Sequence, residues 1–498
     1  LPAADEKRDG VIFPGLTASA MLHGLLTSAK LRFNDAFRPL VFPRESDVFR
    51  KTYPHALEAF EAVRAASAER REIARFIVEK SHRWILLRAD GVERPLADAL
   101  WELPEPAPLK TQPLRGRGRW EPAVPWEGRR WAGRELGALG DELVARDLAT
   151  TAVAEALAWI AANALDAKGC LDLGSRRFAL MGAAAEIAPT RFLLEAGAEV
   201  LWLDLAPPPE SWLADDALSG RIVTGERLDD LLAQPREIAS AISSFAATGA
   251  VDCGLFAYAP GTGREWRLAG TMNAIVDAVG PERVRSASLY VSPTHPAVLS
   301  QQELAMAKRR ALAMPAWQRA LGALGLLGAA GQTPEGAAAR VQRAVVEIQG
   351  ASYQAAQYVE KLLAMERWAA YGIAGRGGQA ALSANVAGIT RTSSLEHPLF
   401  SAAYLGCGAF GVHTFAPATT RPLNALLMIH DLLNPKAPGA PGAERANEVS
   451  RVFGQRVHGG VYGLPFDLQP MLIAAGVIGF AKKPALLAGL LRGGPKRG

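Results

Sequence analysis

Apolar residues recur along this chain in two rhythms, short unbroken runs and longer stretches with helical spacing. Between about 170 and 435 the two alternate. The runs predict strands at 177–181, 200–203, 251–257, 284–291 and 380–385, with helices between them. Such alternation predicts a mainly parallel sheet covered on both faces. Residues 1–110 read as mostly helical, from the apolar spacing of 57–78, with a strand at 84–87. The segment 111–144 is rich in Pro, Gly, Arg and Trp and is expected to wrap over the domain that follows, 145–438. That domain opens with an Ala-rich helix at 145–166 and is interrupted at 296–345 by Leu/Ala/Gly-rich helical sequence. The interruption is too long for a plain loop and suits a lid or substrate cap. The tail 439–498 holds an apolar stretch at 471–480, Lys482, Lys483 and a second apolar run at 485–491. Apolar sequence beside lysines suits a membrane surface. Docking on the protein's own core or on a second subunit is the plainer alternative.

Composition narrows this picture. At 498 residues the chain has room for more than one domain, and 49% hydrophobic with 21% charged residues describes a folded protein. A net charge of +5 is small for this length, and the basic residues are not interleaved with aromatics, so nucleic acid is not an expected partner. Cys170, Cys253 and Cys407 are far apart and odd in number, which speaks against a disulfide framework or a metal knuckle and for a reducing, cytoplasmic setting. Peripheral membrane contact through the tail is the qualification to that location. The histidines show no ligand-like spacing, so no metal is expected.

Chemistry concentrates first at 177–204, where a strand runs into a small-residue turn at Gly182, a helix, a stop at Gly197 and a second strand ending in Asp204. That is the order of a dinucleotide-binding βαβ unit. Gly182 permits a sharp bend, Ala183 and its neighbours keep the approach open, and a helix N-terminus behind them would favour a pyrophosphate. Asp204 stands 22 residues on, where a carboxylate accepts from a ribose diol and repels a 2′-phosphate. Glu186 occupies the place of a second glycine and opposes anion binding unless it turns away or meets a cation.

Downstream, Tyr353-Gln-Ala-Ala-Gln357, continued by an apolar helical face and a Glu, resembles the active-site helix of the short-chain dehydrogenases/reductases. Asn385-Val-Ala-Gly-Ile-Thr390 is similar to the family's stretch after the sixth strand, and Val251-Asp-Cys-Gly-Leu-Phe-Ala-Tyr-Ala-Pro-Gly to its fourth-strand segment. Trp266 and Asn273 match the spacing of the next helix. The resemblance covers roughly 175–395, without 296–345. It implies a Rossmann-like doubly wound α/β sheet, here with an N-terminal helical extension, a helical insertion and a helical tail. It also implies NAD, or less readily NADP, as cofactor. Tyr353 becomes the acid/base, Ser292 the hydroxyl on the substrate oxygen and Asn273 the holder of a proton-relay water. Gly182, Ala183, Glu186, Ile187, Asp204, Gln357 and Thr390 fall at cofactor-binding positions. Thr294 is the alternative to Ser292, and His295 an alternative acid.

The main departure is Gln357, where the family has Lys. A neutral amide bonds a ribose but does not lower the phenol's pKa by charge. Lys361 lies about 12 Å further along an ideal helix from Tyr353. Each residue also has a plain structural reading: a capped buried phenol, a strand-end hydroxyl, a packing amide, a turn-capping aspartate. The favoured function is hydride exchange between the cofactor and a carbonyl or alcohol of a bulky apolar substrate, in a homo-oligomer. Alternatives are a non-redox lyase or isomerase on the same scaffold, or a binding platform without catalysis.

Overall fold

The computed structural model describes residues 9–487 except 14, 117–118, 262, 329–338, 378–379, 393–396 and 443–448. Part of the apolar insertion and the last eleven residues of the tail, 488–498, therefore lie outside the described residues. The protein is a mixed α/β structure organised around a mostly parallel seven-stranded sheet.

The N-terminal region contributes β1 (Gly10–Ile12), the helices Ala18–Arg32, Ser46–Ala66 and Arg70–Trp84, and the hairpin of β2 (Leu86–Ala89) and β3 (Val92–Pro95). The strand expected at 84–87 thus begins two residues later, because Trp84 still belongs to the helix. The segment after it supplies β4 (Leu109–Pro113) and the hairpin of β5 (Ala123–Trp126) and β6 (Arg129–Ala132). Trp120, Trp126 and Trp131 are buried there. Trp120 stacks on Phe192 at 5.0 Å, and Trp126 Nε1 donates to His413 Nε2 at 3.3 Å. The Trp-rich stretch does wrap over the sheet's helices.

The sheet proper contains β7 (Arg177–Met181), β8 (Glu199–Leu203), β9 (Arg221–Gly225), β10 (Val251–Leu255), β11 (Val284–Val291) and β12 (Ala381–Val386). Its order is β12-β11-β10-β7-β8-β9-β4, parallel except for β4 on the edge. From β7 the chain winds outward through β8 and β9, then returns to the other side of β7 and winds outward again through β10, β11 and β12. Chain order therefore reverses between β7 and β10, and the loops at their carboxyl ends diverge there to leave a crevice. Most side chains of the central strands are buried and apolar, as suits strands covered on both faces, with Asp252, Ser286 and Ser288 as buried polar exceptions. One continuous apolar core joins the N-terminal helices to one side of this sheet, and a second lies beneath the helix Pro417–Leu433.

Residues 350–371 form a single long rod that begins as an α-helix (Gly350–Gln357), widens into a π-helical turn (Tyr358–Leu363) and resumes as an α-helix (Ala364–Tyr371). Buried ionic contacts seat this rod on the N-terminal helices. Arg64 reaches Glu61 at 2.6 Å and Glu366 at 2.9 Å, and the Tyr358 hydroxyl donates to Glu61 at 2.6 Å.

Candidate active site at the carboxyl ends of the strands

A cleft of about 600 Å³ opens at the reversal point. Its floor is Gly182, Ala184 and Ala185 after β7, with Asp204 after β8 and Ala257–Tyr258 after β10. Residues 229–233 and the N-terminal residues 9–12 form one side, and Arg264 and Arg267 stand on another. Val11 is stitched into that wall, its N–H donating to the Leu232 carbonyl at 2.7 Å and its carbonyl accepting from Arg267 Nη1 at 2.8 Å.

Gly182 is required by its backbone. It has φ +91°, and a Cβ there would stand 2.2 Å from the Ala257 nitrogen. Asp204 fixes the turn from the neighbouring strand, one oxygen accepting from Ala184 N–H at 3.0 Å and the other from Ala206 N–H at 3.0 Å. The helix expected directly behind Gly182 is displaced. It runs from Thr190 to Glu195, only six residues; Thr190 Oγ1 donates to the Ala183 carbonyl of the turn at 2.6 Å, and none of its residues lines the cleft. Pro189 explains the delay, since a residue preceding proline is pushed out of the α region and Ala188 does not begin a helix. Glu186 meets a cation: its carbonyl accepts from Arg421 Nε, and its carboxylate lies 3.9 Å from Arg421 Nη2. Ala183 is buried and Ile187 packs on the second core, and neither lines the cleft.

Beside the cleft lies a cluster of hydroxyls. Ser292 follows the end of β11, and its Oγ is 2.8 Å from Thr294 Oγ1. Thr294 Oγ1 donates to Gln349 Oε1 at 2.8 Å. The Tyr353 phenol lies within interaction range of both hydroxyls. Burial raises its pKa, Ser292 and Thr294 oppose that rise by hydrogen bonding, and the Glu265 carboxylate adds to it. Tyr258, which lines the cleft, presents its ring edge-on to Tyr353 at 6.2 Å between centroids. The structure thus brings Ser292, Thr294 and Tyr353 together, with Tyr258 between them and the crevice.

Gln357 does not line the cleft; its Oε1 accepts the Ser292 N–H at 2.9 Å. Lys361, one turn on, donates to the Tyr290 carbonyl at 2.7 Å, and burial lowers its pKa to about 8. The two side chains together hold the last turn of β11. His295 lies against the Ser292 carbonyl, and burial lowers its pKa to about 4, leaving it neutral near pH 7 and poorly suited to supply a proton.

Two other residues sit elsewhere. Asn273 Nδ2 donates to the Glu360 carbonyl at 2.6 Å and to its carboxylate at 3.0 Å. The same fully buried carboxylate takes Ser81 Oγ at 2.6 Å and Trp266 Nε1 at 3.0 Å, and lies 2.9 Å from His82 Nε2. Burial disfavours the Glu360 charge, but His82 and the hydrogen bonds from Ser81 and Asn273 outweigh it, so its pKa stays below the ordinary 4.5. Thr390 is buried in the loop after β12, bonded to the Gly388 carbonyl and to Thr420 Oγ1, both at 2.8 Å.

Sequence reasoning singled out neither Tyr258 as a bridge nor Arg264 and Arg267 as the cations of the cleft. Their only signal was position, just after the fourth strand of the alternating pattern. Among the described residues no group of three or more His, Cys, Asp or Glu is placed to hold a metal ion. No helix among them is long and apolar enough to cross a membrane. No protein-family model and no curated protein matches the chain.

Proposed function

We propose that the chain is a Rossmann-like, short-chain dehydrogenase/reductase-like oxidoreductase that binds NAD(H), less readily NADP(H), and reduces or oxidises a carbonyl or alcohol of an apolar substrate. One observation carries this reading: a dinucleotide-sized crevice at the reversal of strand order adjoins a tyrosine–serine–threonine cluster. The residues present fit the cofactor at both of its demanding ends. A carboxylate offers about four lone-pair sites, and Asp204 spends one on each of its two turn bonds, which leaves capacity for a ribose diol. Arg264 and Arg267 supply positive charge on the side of the cleft, a role the short helix at Thr190 does not fill. Asp204, Asp229 and Asp230 line the same cleft and favour NAD over a cofactor bearing a further phosphate.

The bound nicotinamide would supply or accept hydride. The protein's own part is to hold a substrate oxygen between Ser292 and Tyr353 and to move one proton. Tyr353 is protonated at neutral pH, but burial opposes the phenolate that donation to a carbonyl oxygen would leave, so the transfer relies on groups that offset that cost. Ser292 and Thr294 stabilise the phenolate left behind.

A second reading, non-redox catalysis on the same scaffold, is favoured by a specific contact. Gln357 replaces the expected cation, and Lys361 turns to the Tyr290 carbonyl instead of the phenol. Titration with NADH and NADPH, followed by melting temperature, separates the two. The redox reading predicts a saturable rise with NADH and a smaller one with NADPH. No shift from either nucleotide at millimolar concentration would refute it.

A further inference from the structure

The insertion, the helix Pro398–Cys407 and the tail helix Leu468–Lys482 form one contiguous layer. The last two helices are in backbone contact: a Cβ on Gly406 would stand 1.8 Å from the Ala475 carbonyl oxygen, and one on Gly479 1.8 Å from that of Ala402. The insertion helix Ala316–Ala323 is fastened to the same unit. Trp317 meets Phe410 edge-on at 5.2 Å, and Gln318 Nε2 donates to the Ala409 carbonyl at 3.0 Å.

This layer presents apolar side chains outward. Trp317, Leu324, Leu326, Leu405, Ile473 and Val477 are 41–73% exposed. A water-facing helix normally turns polar side chains outward, yet Pro398–Cys407 carries no charged residue and Leu468–Lys482 carries only its terminal lysine. The exposed charges bordering the apolar positions are mostly basic, with Lys308, Arg319, Lys482 and Lys483 all exposed. Of the nearby carboxylates, Glu303 is buried and bound to Arg456 at 2.9 Å, and Asp467, partly buried at the start of the tail helix, faces Gly328.

We infer that this layer docks on an anionic lipid bilayer, with its apolar side chains among the acyl chains and its cations at the phosphates. Exposed apolar groups flanked by an excess of exposed lysine and arginine have the chemistry of an interfacial element. A second copy of the chain fits less well, because a twofold contact through this face would set the same cations against each other. The inference does not depend on how the cleft is read.

Co-sedimentation of the full chain with phosphatidylcholine vesicles, with and without phosphatidylglycerol, tests it. The protein should pellet with the mixed vesicles and far less with phosphatidylcholine alone, and binding should weaken as salt rises. Lys482→Ala with Lys483→Ala should weaken binding roughly thirty-fold. Ile473→Glu with Val477→Glu should abolish it while leaving the melting temperature unchanged, whereas Val92→Glu, on the exposed β3 hairpin, should bind as the parent does. Absence of pelleting with the mixed vesicles overturns the inference. So does pelleting that the Ile473/Val477 and Lys482/Lys483 variants leave intact, or a concentration-dependent dimer that the Ile473/Val477 variant dissolves.

Discussion

Two polar nodes flank the rod at residues 350–371, and they differ in how much of their hydrogen-bonding capacity is spent. Around Glu360 the carboxylate itself is fully committed: Ser81 and Trp266 sit on one of its oxygens, His82 and Asn273 on the other. Around Tyr353 three hydroxyls share a few bonds among themselves and Gln349, and a tyrosine leads from them to open space. A saturated carboxylate fixes three segments of chain relative to one another. A hydroxyl cluster with donors and acceptors to spare can take up a guest oxygen. Asn273 and Tyr353 both carry the family resemblance in the sequence, yet they fall on opposite sides of this division.

The contrast can be broken experimentally. Glu360→Ala removes the acceptor that four buried groups share and should cost about 3–5 kcal/mol of stability by chemical denaturation; a loss under about 1 kcal/mol would show that the node is not structural. Tyr353→Phe should behave in the opposite way, leaving stability within about 1 kcal/mol but lowering carbonyl reduction by about a hundredfold or more. Normal turnover in that variant would remove the phenol from the chemistry. Gln357→Leu releases the Ser292 N–H and should cost about 1–3 kcal/mol, together with misplacement of Ser292 visible as reduced turnover.

The smallest effects lie in pH. Glu360 has its pKa lowered in the folded state, so its contribution is present above the ordinary 4.5 and is lost as pH falls through the lower folded value. Acid titration of stability should be flatter in Glu360→Gln. Lys361 has the converse behaviour of a base lowered by burial. The unfolded chain holds the proton more tightly between about 8 and 10.5, so stability should rise with pH across that window and cease to do so in Lys361→Met.

Much of the sheet was legible because its central strands are short and rich in apolar residues: 177–181 and 284–291 appear as read, and 200–203 lies inside β8. The edge was not. β4 is Leu-Lys-Thr-Gln-Pro, largely exposed and antiparallel, and nothing in its composition distinguishes it from a loop. β9 mixes Arg and Thr with two apolar residues and hides for the same reason. The helix after Gly182 was over-read, since Ala183–Ala185 suit a helix while Pro189 forbids its start. Of the candidate site, the nearness of Ser292 and Tyr353 followed from strand order. The partners of Gln357 and Lys361 did not, because side-chain reach across a strand end leaves no mark on spacing.

The π-helical turn at Tyr358–Leu363 has a consequence for how this chain tolerates length changes. Such a turn holds about one residue more than an α-helical turn. The extra residue is taken up there without rotating the two halves apart, so Tyr353 and Gln357 address β11 while Glu366 addresses Arg64. Deleting one residue within the turn would let the rod relax into uninterrupted α-helix with its two halves still nearly in phase. Deleting one residue in either flanking α-helical segment would instead turn one half against the other by about 100°. The π-helical turn should therefore tolerate a single-codon deletion far better than the helix on either side of it, where the same loss would desynchronise two surfaces without removing any contact group from them.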